Sequence, residues 1–421
     1  EKHRRLRERI VTLGGNTSDP FTEEFDTRMR FLSSGPEVAF SLVDEFAEEY
    51  DSLVDDFLEE GDWSDKFGRR FVENRITELI SAARESEPAE FEGVFNTAID
   101  ALEDYSQENT VYVPLAGVTL DVPELRVGGV VLRTMTEQWA QETLKELDLP
   151  SESRKTAGGR AEIKEAPFLH RLVGNVCAEF KAVAEPDRAR ERAEEEARRV
   201  VDLLRYVVPA VKREYVRVAT ALDGEALSRS YRTSIALSRE GGSLTVASQV
   251  VGPLATLRVS DQALQRMEDV RFSAISGILA KPDTTEFEDA ILRGIHWIAD
   301  ALSQPEEGNA LLSLITCLET FLSPRDGRPI APSIGEAAAV LILRNTDDRK
   351  WLKSRICSYY RQRSSVTHRG KLAVSAQGLH ELLSVALSLT VWMVDKSGRF
   401  SSIKDLHDWL EDVRLSCVPP I

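Results

Sequence analysis

A chain of 421 residues is too long for one ordinary core and calls for two or three domains. Its 42% hydrophobic and 29% charged residues exclude the disordered and fibrous classes, and no apolar run approaches the ~20 residues that cross a bilayer. The net charge of −17 argues against general affinity for nucleic acid.

The stretch Glu1 to Arg5 leads into no long apolar run, so no signal peptide is expected there and the expected compartment is the cytoplasm. The lack of a first Met fits a chain trimmed or excised from something longer. Cys177, Cys317, Cys357 and Cys417 lie far apart without a Cys-x-x-Cys pair. They read as reduced thiols, several filling the core, and neither a metal site nor a cofactor is expected.

Ser34-Gly35-Pro36-Glu37 has the form of a helix start, and Val43, Phe46, Tyr50, Leu53 and Phe57 follow at steps of three and four. Asp44 to Asp65 carries eleven acidic residues and no Lys or Arg, most of them off that stripe, as on a solvated face. Further helices are predicted over Phe67 to Ala83 and Phe91 to Tyr105. Short strands follow over Thr110 to Pro114, Val118 to Val122 and Leu125 to Arg133, separated by Pro and Gly. A helix over Glu137 to Leu147 leads to a polar loop from Pro150 to Gly159. Arg188 to Arg199 mixes both charge signs, as an exposed helix does, and continues into a more apolar run to Val208. Strand patterns return in Tyr215 to Ala221, Ser228 to Leu237 and Ser243 to Val251. From Asp261 onward the pattern is helical, with long helices over Glu286 to Ser303, Ala310 to Leu322, Asp347 toward His368, and Ala376 to Val394. Shorter ones cover Ser333 to Leu343 and Ile403 to Val413.

The expected fold is mainly α, with a mixed α+β N-terminal region and a C-terminal antiparallel helical bundle. Three parts are drawn: residues 1–109, helical; 110–258, mixed and regulatory; and 259–421, the bundle.

Against the acidic total, Arg344 to Lys371 holds nine basic residues opposed only by Asp347 and Asp348, a place for a polyanion. Within it the buried stripe reads Leu352, Ile356, Tyr359, Arg363, Val366, so Arg363 stands where the pattern wants an apolar group. Burying a guanidinium unpaired costs several kcal/mol, so a carboxylate or a ligand phosphate must meet it. His368 follows five residues later, about 140° further round an ideal helix. The two side chains converge only if the helix ends or bends there, and Gly370 is a reasonable stop. The same residues also fit a structural Arg paired with an acid and an incidental surface His. His170, His296, His380 and His407 read as packing or surface residues.

The segment Tyr359-Tyr-Arg-Gln-Arg-Ser-Ser-Val-Thr-His-Arg-Gly-Lys371 resembles the signature of HEPN domains, Arg and His separated by four residues. The Apea-like branch is the nearest in pattern, with its tyrosine-bearing helix followed by Arg363-Ser364. Ile291 to Leu302 is similar to the family's first long helix, Leu314-Ile-Thr-Cys-Leu-Glu319 to the second, and Phe400 to Leu410 to the closing one. The match spans roughly residues 283–413. Two features depart from it: Ser364 stands where other branches carry Asn, Asp or His, and Arg369 separates His368 from Gly370.

The resemblance implies a metal-independent endoribonuclease acting as a homodimer, in antiviral defence or as a toxin, under a regulatory protein or phage-derived trigger. In that chemistry His368 serves as base or acid and Arg363 holds the phosphate oxygens. Glu319 orients His368 or neutralises Arg363, or is simply a surface carboxylate of its helix. Tyr359 and Tyr360 could stack on bases, although Tyr359 also fits core packing. Arg361, Ser364, Arg369 and Lys371 would complete the RNA contacts, and Lys353, Arg355, Arg361, Arg369 and Lys371 would add phosphate attraction, although such residues also fit a solvated basic face. The alternative is a non-catalytic HEPN module binding RNA or protein.

Overall fold

Apolar residues at helical spacing close a first core. The computed structural model describes residues 3–17, 30–33, 38–42, 45–59, 63–146, 169, 171–213, 216–225, 231–237, 244–250, 254–324, 327–369 and 375–416. Two compact units emerge: residues 1–111 with 180–194, and residues 112–179 with 195–421.

In the first unit, α1 (Arg4–Gly15) is followed by the antiparallel strands β1 (Arg30–Ser33) and β2 (Val38–Leu42). Helices α2 (Glu45–Glu59), α3 (Trp63–Lys66), α4 (Arg69–Glu85), α5 (Pro88–Asp100) and α6 (Leu102–Tyr105) come next. Tyr50, Leu53 and Phe57 of α2 are buried with Ile10 of α1 and Ile76 of α4. The expected helix therefore starts later than its pattern suggests. Residues 38–42 pair with β1 as a strand, while Ser34 to Glu37 and Val43 lie outside the described residues. The acidic face of α2 has partners inside its own unit: Arg9 meets Glu49 and Asp56, and Arg69 meets Asp55 and, at 3.6 Å, Asp51.

The sheet of the second unit has the order β5-β6-β7-β3-β9. Its strands are β3 (Gln107–Ala116), β5 (Leu125–Val127), β6 (Val130–Thr134), β7 (Val176–Ala184) and β9 (Ala221–Leu222). The β5–β6 hairpin turns at Gly128 with φ of +58°, a conformation a Cβ disfavours, and its N–H donates to Ser276 Oγ at 3.0 Å. Between β3 and β5 lies β4 (Val118–Leu120), and α7 (Glu137–Glu146) follows β6. The 150–159 loop lies outside the described residues. Helix α8 (Pro186–Lys212), like β3 and β7, passes from one unit into the other. Its mixed-charge start gives way to the buried Leu203, Leu204 and Tyr206, as its sequence predicts.

Strands β8 (Arg217–Val218), β10 (Tyr231–Leu237), β11 (Leu244–Val250), β12 (Leu254–Ala255) and β13 (Leu257–Val259) precede α9 (Asp261–Met267) and α10 (Phe272–Leu279). The three-part division drawn from sequence does not correspond to these units. β13 pairs in parallel with β4, and Tyr206 of α8 donates to the Val270 carbonyl at 3.3 Å, so most of 110–258 folds together with residues beyond 258.

The C-terminal helices are α11 (Glu286–Ser303), α12 (Glu307–Leu322), α13 (Ile330–Ile342), α14 (Thr346–Arg369), α15 (Ala376–Asp395) and α16 (Ile403–Ser416). Short connections join α11 to α12 and α13 to α14, and each pair packs together. Ile291, Ile298 and Leu302 of α11 are fully buried, as are Leu314 and Leu318 of α12 and Leu382 and Leu389 of α15. Gly294 lets the Phe321 ring of α12 lie against bare backbone of α11; a Cβ there would stand 2.2 Å from Phe321 Cζ.

A capping box opens α11. Thr285 Oγ1 accepts from Glu288 N at 3.2 Å, and Glu288 Oε2 accepts from Thr285 N at 3.1 Å. Thr285→Ala is expected to lower the unfolding free energy by about 1 kcal/mol in urea titration. No loss would mean that the box does not stabilise α11.

The chain is thus mainly α with an α+β region, and among the described residues no helix is long and apolar enough to cross a membrane. Cys177 and Cys317 are buried free thiols, each pushed up to about 12 by burial; Cys357 is half-buried, and Cys417 lies outside the described residues.

Candidate active site

Leu352, Ile356 and Tyr359 bury one face of α14, and the next step of that stripe brings Arg363 toward α12. Its guanidinium is met by Glu319, which also accepts from the Tyr360 hydroxyl at 3.2 Å. Arg363 Cζ lies 5.9 Å from the centre of the Tyr360 ring. Burial, with Glu319 beside it, drives the Tyr360 hydroxyl far above its ordinary pKa, so it remains a donor. The carboxylate is 20% exposed and the Arg363 side chain 35%.

One turn earlier, Glu381 of α15 organises a second cluster. Its Oε2 accepts from Tyr359 OH at 2.9 Å and from Arg355 Nε at 3.0 Å, and Arg355 Nη2 donates to Tyr359 OH at 3.0 Å. Tyr359 is 2% exposed and burial pushes its hydroxyl up to about 12. Its ring is packed away rather than presented to a base, which corrects the expected RNA contact.

Carboxylates from other helices also temper the basic segment. Besides Glu319 and Glu381, Glu336 of α13 takes Lys353 Nζ at 2.8 Å, and that bond holds its carboxyl below the usual range. Within the segment, Lys350 lies 3.6 Å from Asp347 and Arg349 Nε donates to the Leu343 carbonyl at 2.8 Å. The charge available to a polyanion is therefore smaller than the count of cations suggests.

Arg361 and Ser364 are exposed on α14. His368 and Arg369 belong to the same helix by backbone, while Gly370 and Lys371 lie outside the described residues. The helix does not stop before His368, as convergence within one chain requires. At five helical residues the Arg363 and His368 positions stand about 140° apart around the axis. Among the described residues no three His, Cys, Asp or Glu side chains gather as a metal site would require.

Arg363 and Glu319 were expected site residues and Arg355 was expected only as a source of phosphate attraction, whereas Glu381 was not expected at all. Arg355 sits four residues before Tyr359, a visible helical pairing, whereas Glu381 lies on a different helix and has no local signal. The chain matches no family model, no curated protein and no solved structure.

Proposed function

We propose that the chain is a metal-independent endoribonuclease with a HEPN-like C-terminal bundle, working as a homodimer in antiviral defence or as a toxin-like effector. The observation that carries this reading is the Arg363–Glu319–Tyr360 cluster, with a part-exposed Arg363 side chain, on the helix that bears His368. Such a fork suits two oxygens of a phosphate.

In the reaction the ribose 2′-hydroxyl gives its proton to a base and bonds to phosphorus. The bond to the 5′-oxygen breaks, that oxygen takes a proton from an acid, and a 2′,3′-cyclic phosphate and a 5′-hydroxyl remain. An imidazole such as that of His368 has the chemistry for either role. An unbroken α14 separates the two positions around its axis, so a two-fold pairing of α14 would let Arg363 of one copy and His368 of the other face one phosphate. The N-terminal region would answer a trigger.

A specific observation favours a second reading. Glu319 already occupies Arg363, as in a purely structural pair, and this suits a non-catalytic module that binds RNA or protein.

Incubation of the purified chain with RNA in EDTA, read by the chemistry of the ends, separates the two. Cyclic-phosphate ends, absent with His368→Ala and with 2′-deoxy substrate, support the nuclease. RNA bound but uncut, together with no toxicity when the gene is expressed in growing cells, supports the module. Neither binding nor cleavage removes the nuclease and the RNA-binding module alike.

A further inference from the structure

A second cleft lies between α8, α10 and α11, with a volume of about 420 Å³, and contains none of the Arg363 cluster. Leu203, Ile275, Ile278 and Ile295 give it an aliphatic lining. No Phe, Tyr or Trp lines it, and its one aromatic ring among the described residues is the imidazole of His296.

At the cleft His296 Nδ1 stands 2.8 Å from Asp202 Oδ2. Asp202 is in turn backed by Arg205, whose Nη1 lies 3.9 Å from its Oδ1. Arg205 is buried and fixed by donation from Nε to the Thr220 carbonyl at 2.7 Å. This chain of groups orients the imidazole ring, with Nδ1–H donating to the carboxylate; Nε2 is a second donor in the imidazolium form and an acceptor in the neutral one. The Asp202 hydrogen bond keeps the imidazolium form to higher pH than usual.

Arg293, one turn before His296 on the same helix, lines the same cleft. It is exposed and makes no ion pair or hydrogen bond to any described residue. The other cations of the cleft are compensated: Arg199 by Glu196 at 2.9 Å, and Lys281 by Glu288. Asp289 is bonded by Thr284, and Asp202 by His296. The neutral Thr284 leaves Asp289 its charge, but with Arg205 behind Asp202 and His296 in its imidazolium form the cations exceed the carboxylates by one, beside an aliphatic surface.

We propose that this cleft binds a small apolar monocarboxylate. The Arg293 guanidinium and His296 Nε2 take its carboxylate, and the aliphatic lining takes its hydrocarbon body. A phosphate monoester, with nearly twice the charge, would face Asp202 and Asp289 with too little positive charge to balance it. The site is independent of the RNA-cleaving reading and stands or falls apart from it.

Calorimetric titration of the full chain with octanoate tests it, with octanol and inorganic phosphate as controls. Octanoate is expected to bind with a Kd of about a millimolar or tighter. Arg293→Ala, an exposed substitution that leaves the core intact, should weaken it about tenfold or more. His296→Gln should weaken it too, and octanoate should shift the His296 ring resonances in the wild type. The proposal is overturned by no binding at about ten millimolar octanoate, ten times that expected Kd. It is also overturned if octanol binds as tightly, if inorganic phosphate displaces octanoate at lower concentration, or if Arg293→Ala binds octanoate as well as the wild type.

Discussion

Arg363→Ala is expected to slow RNA cleavage by roughly a hundred- to a thousandfold, the usual effect of removing one donor from a developing oxyanion. The cost to the fold should stay within about 1 kcal/mol, because the pair is partly open to solvent and the Tyr360 hydroxyl still has Glu319 to donate to. Arg363→Lys separates charge from shape. It keeps a cation near the phosphate but loses the planar fork, so it should recover only part of the rate. Initial rates on one RNA in EDTA, set beside urea melts of the same proteins, give the comparison. A full rate in Arg363→Ala would remove this residue from the chemistry and leave it as the structural partner of Glu319.

Gly294→Ala pits two effects of opposite sign against each other. Helix propensity alone favours Ala over Gly by about 1 kcal/mol. The new methyl, however, would stand 2.2 Å from Phe321 Cζ and 2.7 Å from Cε2, where no rotamer of its own can relieve the clash. Overpacking of this kind costs about 1–3 kcal/mol, and so close an approach belongs at the upper end. A net loss of about 2 kcal/mol is expected in urea unfolding. Trimming the ring should restore much of it, so Phe321→Leu and Gly294→Ala together should lose less than the sum of their separate losses. A stabilised Gly294→Ala chain would show that Phe321 does not press on α11 in solution.

The C-terminal helices were legible because their apolar steps of three and four hold over many residues and their connections are short. Arg363 was legible for the same reason, as an exception to a strong pattern, and so was its need for a negative partner. Start signals were less secure: Val38 to Leu42 is short and apolar, which a strand satisfies as well as a helix does. Its pairing with Arg30 to Ser33 settles the matter, and no local pattern reports pairing. Gly370 pointed to a helix end near His368, and α14 is bounded at Arg369, one residue past His368, so both Arg363 and His368 keep helical positions. His296 gave no signal at all. Its partner Asp202 lies 94 positions earlier, and only packing brings the two together.

The parallel pairing of Leu257–Val259 with Val118–Leu120 bears on how this molecule can be dissected. A fragment trimmed to 259–421 would lose that strand and the α8 surface beneath α10 and α11, baring aliphatic groups such as Ile275 and Ile295 to water. Such a fragment is expected to aggregate or melt well below the intact chain, which light scattering and calorimetry would register. The last third carries the candidate chemistry, but it is not a module that can be lifted out.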